Sequence, residues 1–152
     1  MGKSRWLTEK ERHAWRNFSL MQLQLFALLG RELAGDGLSY PDYVVLAILS
    51  DQPDNQARLS QLGHELGWEK SRVSHHVARM EQRELVTRAK CPTDLRGWFI
   101  AMTDEGRAAM ARAAPAHVGV VRRHFIDLLT PAQIAALTDI SQTVLDSLPG
   151  EG

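Results

Sequence analysis

Between Trp68 and Trp98 the chain carries seven basic side chains (Lys70, Arg72, Arg79, Arg83, Arg88, Lys90 and Arg96) against four acidic ones (Glu69, Glu81, Glu84 and Asp94). Over the whole sequence 18 basic and 18 acidic residues cancel, so this surplus of three is local. Basic and hydroxyl side chains at such density suit contact with a nucleic acid: arginine pairs with guanine edges, and serine reaches bases or phosphates. A surplus this small on a lone surface helix ordinarily marks only a solvated face. What surrounds it decides between the two readings.

Other chemistry is sparsely represented. No Ser-His-Asp set, HExxH run or phosphate-cradling glycine loop is present, and nothing in the sequence calls for catalysis or a cofactor. The single cysteine, Cys91, forms no intramolecular disulfide and no cysteine-based zinc site alone. Arg88 and Lys90 nearby lower a thiol's pKa, which makes Cys91 a candidate oxidation sensor, while a small residue at a strand end is the simpler reading. His117 and His124 share a helical face at a spacing of seven, but no third metal ligand accompanies them, and packing histidines are expected instead.

The elements that position the basic cluster follow from caps and periodicity. Thr8-Glu9-Lys10-Glu11 fits a capping box, and Ala14, Phe18, Met21, Leu25 and Leu28 line one face of a long helix that ends at Gly35 and Gly37. Ser39 caps a second helix, with Pro41 in its first turn and a buried stretch from Tyr43 to Leu49. A turn spans Asp51 to Asn55. Leu59 to Leu66 and Glu69 to Arg83 form two further helices joined at Gly67. Val86 to Lys90 and Trp98 to Met102 are strands flanking a turn from Cys91 to Gly97. Thr103 caps the next helix, and Thr130-Pro131 with Gln133 opens the last, on which Ile134, Leu137, Ile140, Val144 and Leu148 repeat at helical spacing.

This order contains a helix–turn–helix. Gly63 is the small residue where the helices cross, Gly67 makes the turn, and Leu62, Leu66, Trp68, Val73 and Val77 supply the facing contacts, with His76 the one polar residue at an inward position. Val73, Val77 and Met80 turn inward, so Ser71, Arg72, His75 and Arg79 point outward, with Lys70 and Ser74 on the same first turns. A helix–turn–helix before and a hairpin after turn the odds from a solvated face to a major-groove reader. In the hairpin tip, Arg96 suits a narrow minor groove, and Asp94 can pair with an arginine such as Arg88 to stiffen the wing.

The 152 residues, 44% hydrophobic and 24% charged, suit one globular unit with a real core. No apolar run approaches the ~20 residues of a membrane span, and the first residues lead into charges and not into a signal-like apolar stretch. A cytoplasmic protein is expected.

From Leu59 to about Met110 the chain resembles the multiple-antibiotic-resistance-regulator (MarR) family: the Asp94-x-Arg96-Gly97 wing is followed by Met102-Thr103-Asp104-Glu105-Gly106, close to that family's Leu-Thr-x-x-Gly signature. The resemblance implies a mainly α fold with a small β-hairpin wing. In it, residues 39–106 form a winged-helix DNA-binding lobe, and residues 1–38 and 107–152 form a helical dimerisation region. It further implies a homodimer on a pseudo-palindromic operator in double-stranded DNA, and a ligand-responsive repressor whose effector lies between lobes and dimer region. Trp15, Arg16, Tyr40 and Tyr43 are candidates to hold a small aromatic or anionic effector. Lys70, Ser71, Arg72, Ser74, His75, Arg79, Arg88, Asp94 and Arg96 are the candidates for DNA. A winged-helix protein-interaction module without specific DNA binding is the competing reading, which the zero net charge suits.

Overall fold

Thr8 opens the first helix, α1 (Glu9–Ala34), with the reciprocal bonds of a capping box: the Glu11 amide donates to Thr8 Oγ1 at 3.2 Å and the Thr8 amide donates to Glu11 Oε2 at 2.8 Å. The computed structural model describes residues 4–150, and of Cys91, Asp94, Leu95 and Arg96 the backbone alone. Of α1's long apolar face only Leu29 and Leu33 are buried. Ser39 caps α2 (Tyr40–Ser50) through a second capping box closed by Asp42. Tyr43, Val45, Leu46 and Leu49 make α2 the buried centre of the fold.

After a 3₁₀ turn at Pro53–Asn55, β1 (Gln56–Arg58) leads directly into α3 (Leu59–Leu66), and α4 (Lys70–Gln82) follows. β2 (Val86–Cys91) and β3 (Asp94–Met102) form the hairpin, and the antiparallel sheet has the order β1-β3-β2. Two expectations from the sequence are corrected here. The strands run further into the tip than Lys90 and Trp98, because Cys91 pairs with Asp94 and leaves only Pro92 and Thr93 between them, with the register slipping between Lys90 and Cys91. The stretch after Asn55 is also a strand: three residues are too few to show a period of two, and β3 supplies the pairing that makes β1 extended.

Thr103 opens α5 (Asp104–His124), its hydroxyl accepting from the Gly106 amide at 2.9 Å and donating to Glu84 O. Gly106 presses on the α4–β2 connection so closely that a Cβ there would lie 2.1 Å from Leu85 O, which is why this position excludes a side chain. α6 (Pro131–Ser147) follows a 3₁₀ turn at Ile126–Leu128 and is capped by Thr130 with Gln133.

One core joins α2, α3, α4, the sheet and the start of α5 through Leu46, Leu49, Leu62, Val73, Val77, Met80, Val86, Ile100 and Ala113. The outer helices are the reverse. α6 has no buried residue, and large apolar side chains of α1 and α6 stand open, including Leu23 at 69%, Ile140 at 60% and Leu145 at 62% exposure. No helix among the described residues is long and apolar enough to cross a membrane.

Candidate nucleic-acid interface

The α3–α4 corner is set by two glycines. Gly67 sits in the left-handed region at φ +64°, where a side chain is strained, and ends α3 by donating its amide to Gly63 O and His64 O. A Cβ on Gly63 would stand 3.2 Å from Trp68 O and 3.5 Å from Val73 Cγ1, so its lack of a side chain lets the helices meet. The Trp68 amide donates back to Gly63 O at 2.9 Å and fixes the start of α4.

α4 then buries Val73, Val77 and Met80 and presents Lys70, Ser71, Arg72, His75 and Arg79 to solvent on its outer side. Ser74 is half-buried, and its carbonyl accepts a bond from Arg88. The guanidinium of Arg72 lies over the Trp68 ring, 4.0 Å from its centre.

His76, the polar residue in an apolar row, is buried with its ring nearly perpendicular to that of Trp68, centres 5.3 Å apart, and its Nε2 3.0 Å from Asp42 Oδ1, off the hydrogen-bond line. Asp42 Oδ2 accepts from Arg83 Nη1 at 2.7 Å and from the Ser39 amide at 2.9 Å, while Arg83 Nη2 donates to Gly37 O. Burial pushes the Asp42 carboxyl up, but His76, the Ser39 amide and Arg83 together outweigh it and hold Asp42 well below the usual carboxylate range. Sequence reasoning missed this cluster. The signals were Asp42 at the reciprocal position of the Ser39 cap and a histidine where an apolar residue was expected, since a buried polar side chain needs a partner.

In the wing, Arg88 is braced against α4. Its Nη2 donates to Ser74 O at 3.1 Å, its amide donates to Glu81 Oε2 at 3.0 Å, and its guanidinium lies 5.6 Å from the Trp98 ring centre, with Lys90 Nζ at 5.9 Å. Arg88 therefore ties wing to helix, whatever else it contacts. The expected pairing of Asp94 with Arg88, the groove contact of Arg96 and the thiol chemistry of Cys91 rest on side chains outside the described residues.

A model of the MarR family matches residues 38–97, from the end of the α1–α2 loop into the wing. The structure of AbsC, a MarR family transcriptional regulator from Streptomyces coelicolor, is 38% identical, covers 94% of this chain and 97% of its own, and superimposes with a TM-score of 0.87. The chain belongs to the MarR family. Sco3205, a MarR family regulator from the same organism solved in complex with DNA, is 37% identical with a TM-score of 0.90, covering 97% of this chain and 94% of its own. MhqR, an HTH-type transcriptional regulator of Bacillus subtilis, is 24% identical over 116 residues, 76% of this chain and 78% of that protein. The MarR-family chain is thus a transcriptional regulator of the winged-helix type and not an enzyme.

This MarR-family fold also forms a half-open cavity of about 340 Å³ lined by α1, α5, α6 and Tyr40 of α2. Phe18, Met21, Phe26, Val121 and Leu137 give it apolar walls, and Gln22, Tyr40, His117 and Ser141 its polar groups. Tyr40 stacks on Phe26 at 5.1 Å, and burial raises its phenol pKa. Tyr43 lies behind the wall, 4.2 Å from the His117 ring, and burial lowers the His117 pKa. Of the four residues anticipated for an effector, the structure brings Tyr40 to the lining and Tyr43 next to it. Trp15 packs on Phe18 and is 62% exposed, and Arg16 is exposed, both outside the lining. His124 is exposed at the end of α5, and no three His, Cys, Asp or Glu side chains gather as a metal site among the described residues.

Proposed function

We propose that this chain is a homodimeric, ligand-responsive repressor that binds a pseudo-palindromic operator in the cytoplasm. In this reading residues 39–106 act as the DNA-binding lobe, and residues 1–38 and 107–152 as the dimerisation region. The observation that carries the DNA reading is the outer side of α4, where Lys70, Ser71, Arg72, His75 and Arg79 are exposed together directly after the Gly67 turn. A helix presented this way enters the major groove by its N-terminal residues. Arg72 reads a base, Lys70 and Arg79 meet phosphates, and Arg96 in the wing reaches the minor groove. That Sco3205 was solved in complex with DNA supports the DNA reading.

The open apolar faces of α1 and α6 support the dimer, since a patch of this extent on a soluble protein is normally covered. Two lobes related by a two-fold axis then meet half-sites one DNA turn apart, ~34 Å. A ligand alters binding by preferring one lobe spacing, and only to the extent of that preference. The cavity behind Tyr40 is the effector site of this proposal. Among the described residues its lining holds no Lys or Arg, and His117 favours the neutral form, so of the aromatic or anionic effector anticipated from the sequence the uncharged aromatic fits it better. CouR of Rhodococcus jostii, a structure of similar fold at 23% identity, was solved with p-coumaroyl-CoA.

Gel-shift titration against the DNA upstream of its own coding region, with excess non-specific competitor, tests the DNA reading. Specific binding that is lost in Arg72→Ala or Arg96→Ala supports it. Binding to any duplex alike, or loss of neither, favours the protein-interaction module.

A further inference from the structure

The geometry points to Trp68 as the residue that positions Arg72 for base reading, so that sequence specificity depends on a side chain with no place in the groove itself. This inference rests on the reading of α4 as the DNA-contacting helix. Trp68 is held on three sides. Its amide is bonded to Gly63 O at 2.9 Å, its carbonyl lies against Gly63, and its ring meets the His76 ring nearly at right angles, with centres 5.3 Å and planes 82° apart. His76 in turn sits against Asp42, which Arg83 and the Ser39 amide fix from α4 and α2. The ring therefore offers one fixed face, and Arg72 lies on it at 4.0 Å while its surroundings are otherwise solvent.

A free arginine samples many rotamers, and each must be given up when the guanidinium forms its two parallel bonds to a guanine. Stacking on an aromatic face restricts the chain before DNA arrives and leaves the guanidinium edge, with its N–H donors, free to bond in the ring's plane. The phosphate contacts assigned to Lys70 and Arg79 gain nothing from this restriction, because of the basic side chains of α4 it is Arg72 that lies on the Trp68 ring. The consequence is a split effect. Removing the ring weakens discrimination at the base pair that Arg72 reads, while non-specific binding stays as it was.

The test uses the full chain and a duplex selected by it from a random-sequence library, together with each single base-pair variant of that duplex. Arg72→Ala first identifies the base pair at which discrimination is lost. Trp68→Leu is expected to lower discrimination at that same pair by about threefold to fivefold, the worth of one exposed cation–π contact. Discrimination at other positions and affinity for unrelated duplex should be unchanged, and Trp68→Phe should restore part of the loss. In the Arg72→Ala background Trp68→Leu should add nothing at that pair. Uniform loss at every position, tracking a fall in melting temperature that Trp68→Phe also shows, would mean that Trp68 only supports the fold. A gain in affinity for Trp68→Leu would mean that the ring holds Arg72 away from DNA. If the natural chain enriches no sequence from the library, the DNA reading falls and this inference with it. Enrichment with unchanged discrimination in Trp68→Leu overturns this inference alone.

Discussion

Arg83 at the end of α4 places Nη1 2.7 Å from Oδ2 of Asp42 in the first turn of α2, and with its other nitrogen holds the Gly37 carbonyl in the loop that joins α1 to α2. One buried carboxylate thus serves as the closing half of a helix cap, the counter-ion of an arginine and the neighbour of His76. The far end of α4 is fastened through it to the start of α2 and to the loop that follows α1.

Removing that carboxylate leaves Arg83 and the Ser39 amide without their acceptor. Asp42→Ala is expected to destabilise the fold by ~3 kcal/mol, the range for breaking a buried pair from one side. Arg83→Ala should cost less, because the Ser39 amide and His76 remain beside the Asp42 carboxylate when the guanidinium is gone. Urea unfolding of the two variants gives the comparison, and equal losses would contradict it.

Acid should find the same residue. Asp42 has its pKa lowered in the folded state, so the unfolded chain takes up its proton first. The stability it contributes is complete above the ordinary carboxylate value of about 4 and drains away as pH falls below it. Melting temperature measured from pH 6 to pH 2.5 should drop more steeply below pH 4 for the natural chain than for Asp42→Asn. Parallel curves would remove Asp42 from the acid transition.

Gly106 should tolerate no side chain. A Cβ there would meet the Leu85 carbonyl, which belongs to the rigid connection into β2 and accepts from the Thr103 amide at 3.2 Å. Gly106→Ala is expected to cost ~2 kcal/mol or more in urea unfolding, as overpacking against backbone does. A neutral result would show that α5 can shift away freely.

On the outer helices, Leu145→Glu places a charge on an apolar face that the proposed dimer covers. Sedimentation should show a shift towards monomer, and operator affinity should fall about a hundredfold as one of two linked contacts is lost. A dimer that persists would locate the interface elsewhere.

The cavity makes a chemical prediction. With no Lys or Arg on its walls among the described residues, a neutral aromatic should bind about tenfold more tightly than the matching carboxylate, since drawing a charge out of water without a partner is costly. Quenching of tryptophan fluorescence gives both constants, and a preference for the carboxylate would place a cation from a second protomer in the site.

Much of this was written locally. Caps at Thr8, Ser39, Thr103 and Thr130 start helices where the sequence indicates, because a capping hydroxyl and the amide it accepts from lie three residues apart. The helix–turn–helix was equally legible, since Gly67 needs a left-handed backbone and the inward row of Val73, Val77 and Met80 leaves Arg72 and Arg79 outside by helical geometry alone. Only the tertiary structure decided which residues meet across the chain. β1 is a strand because β3 lies beside it, His76 is tolerable because Asp42 arrives from α2, and Arg88 is drawn to Ser74 because the wing folds onto α4. Tyr40 meets the cavity and Trp15 does not because His117 and Val121 of α5 and Leu137 and Ser141 of α6 stand beside the stretch of α1 from Phe18 to Leu29. Periodicity reports which face of an element turns inward, but the partner it finds there depends on contacts between residues far apart in sequence, which no local spacing encodes.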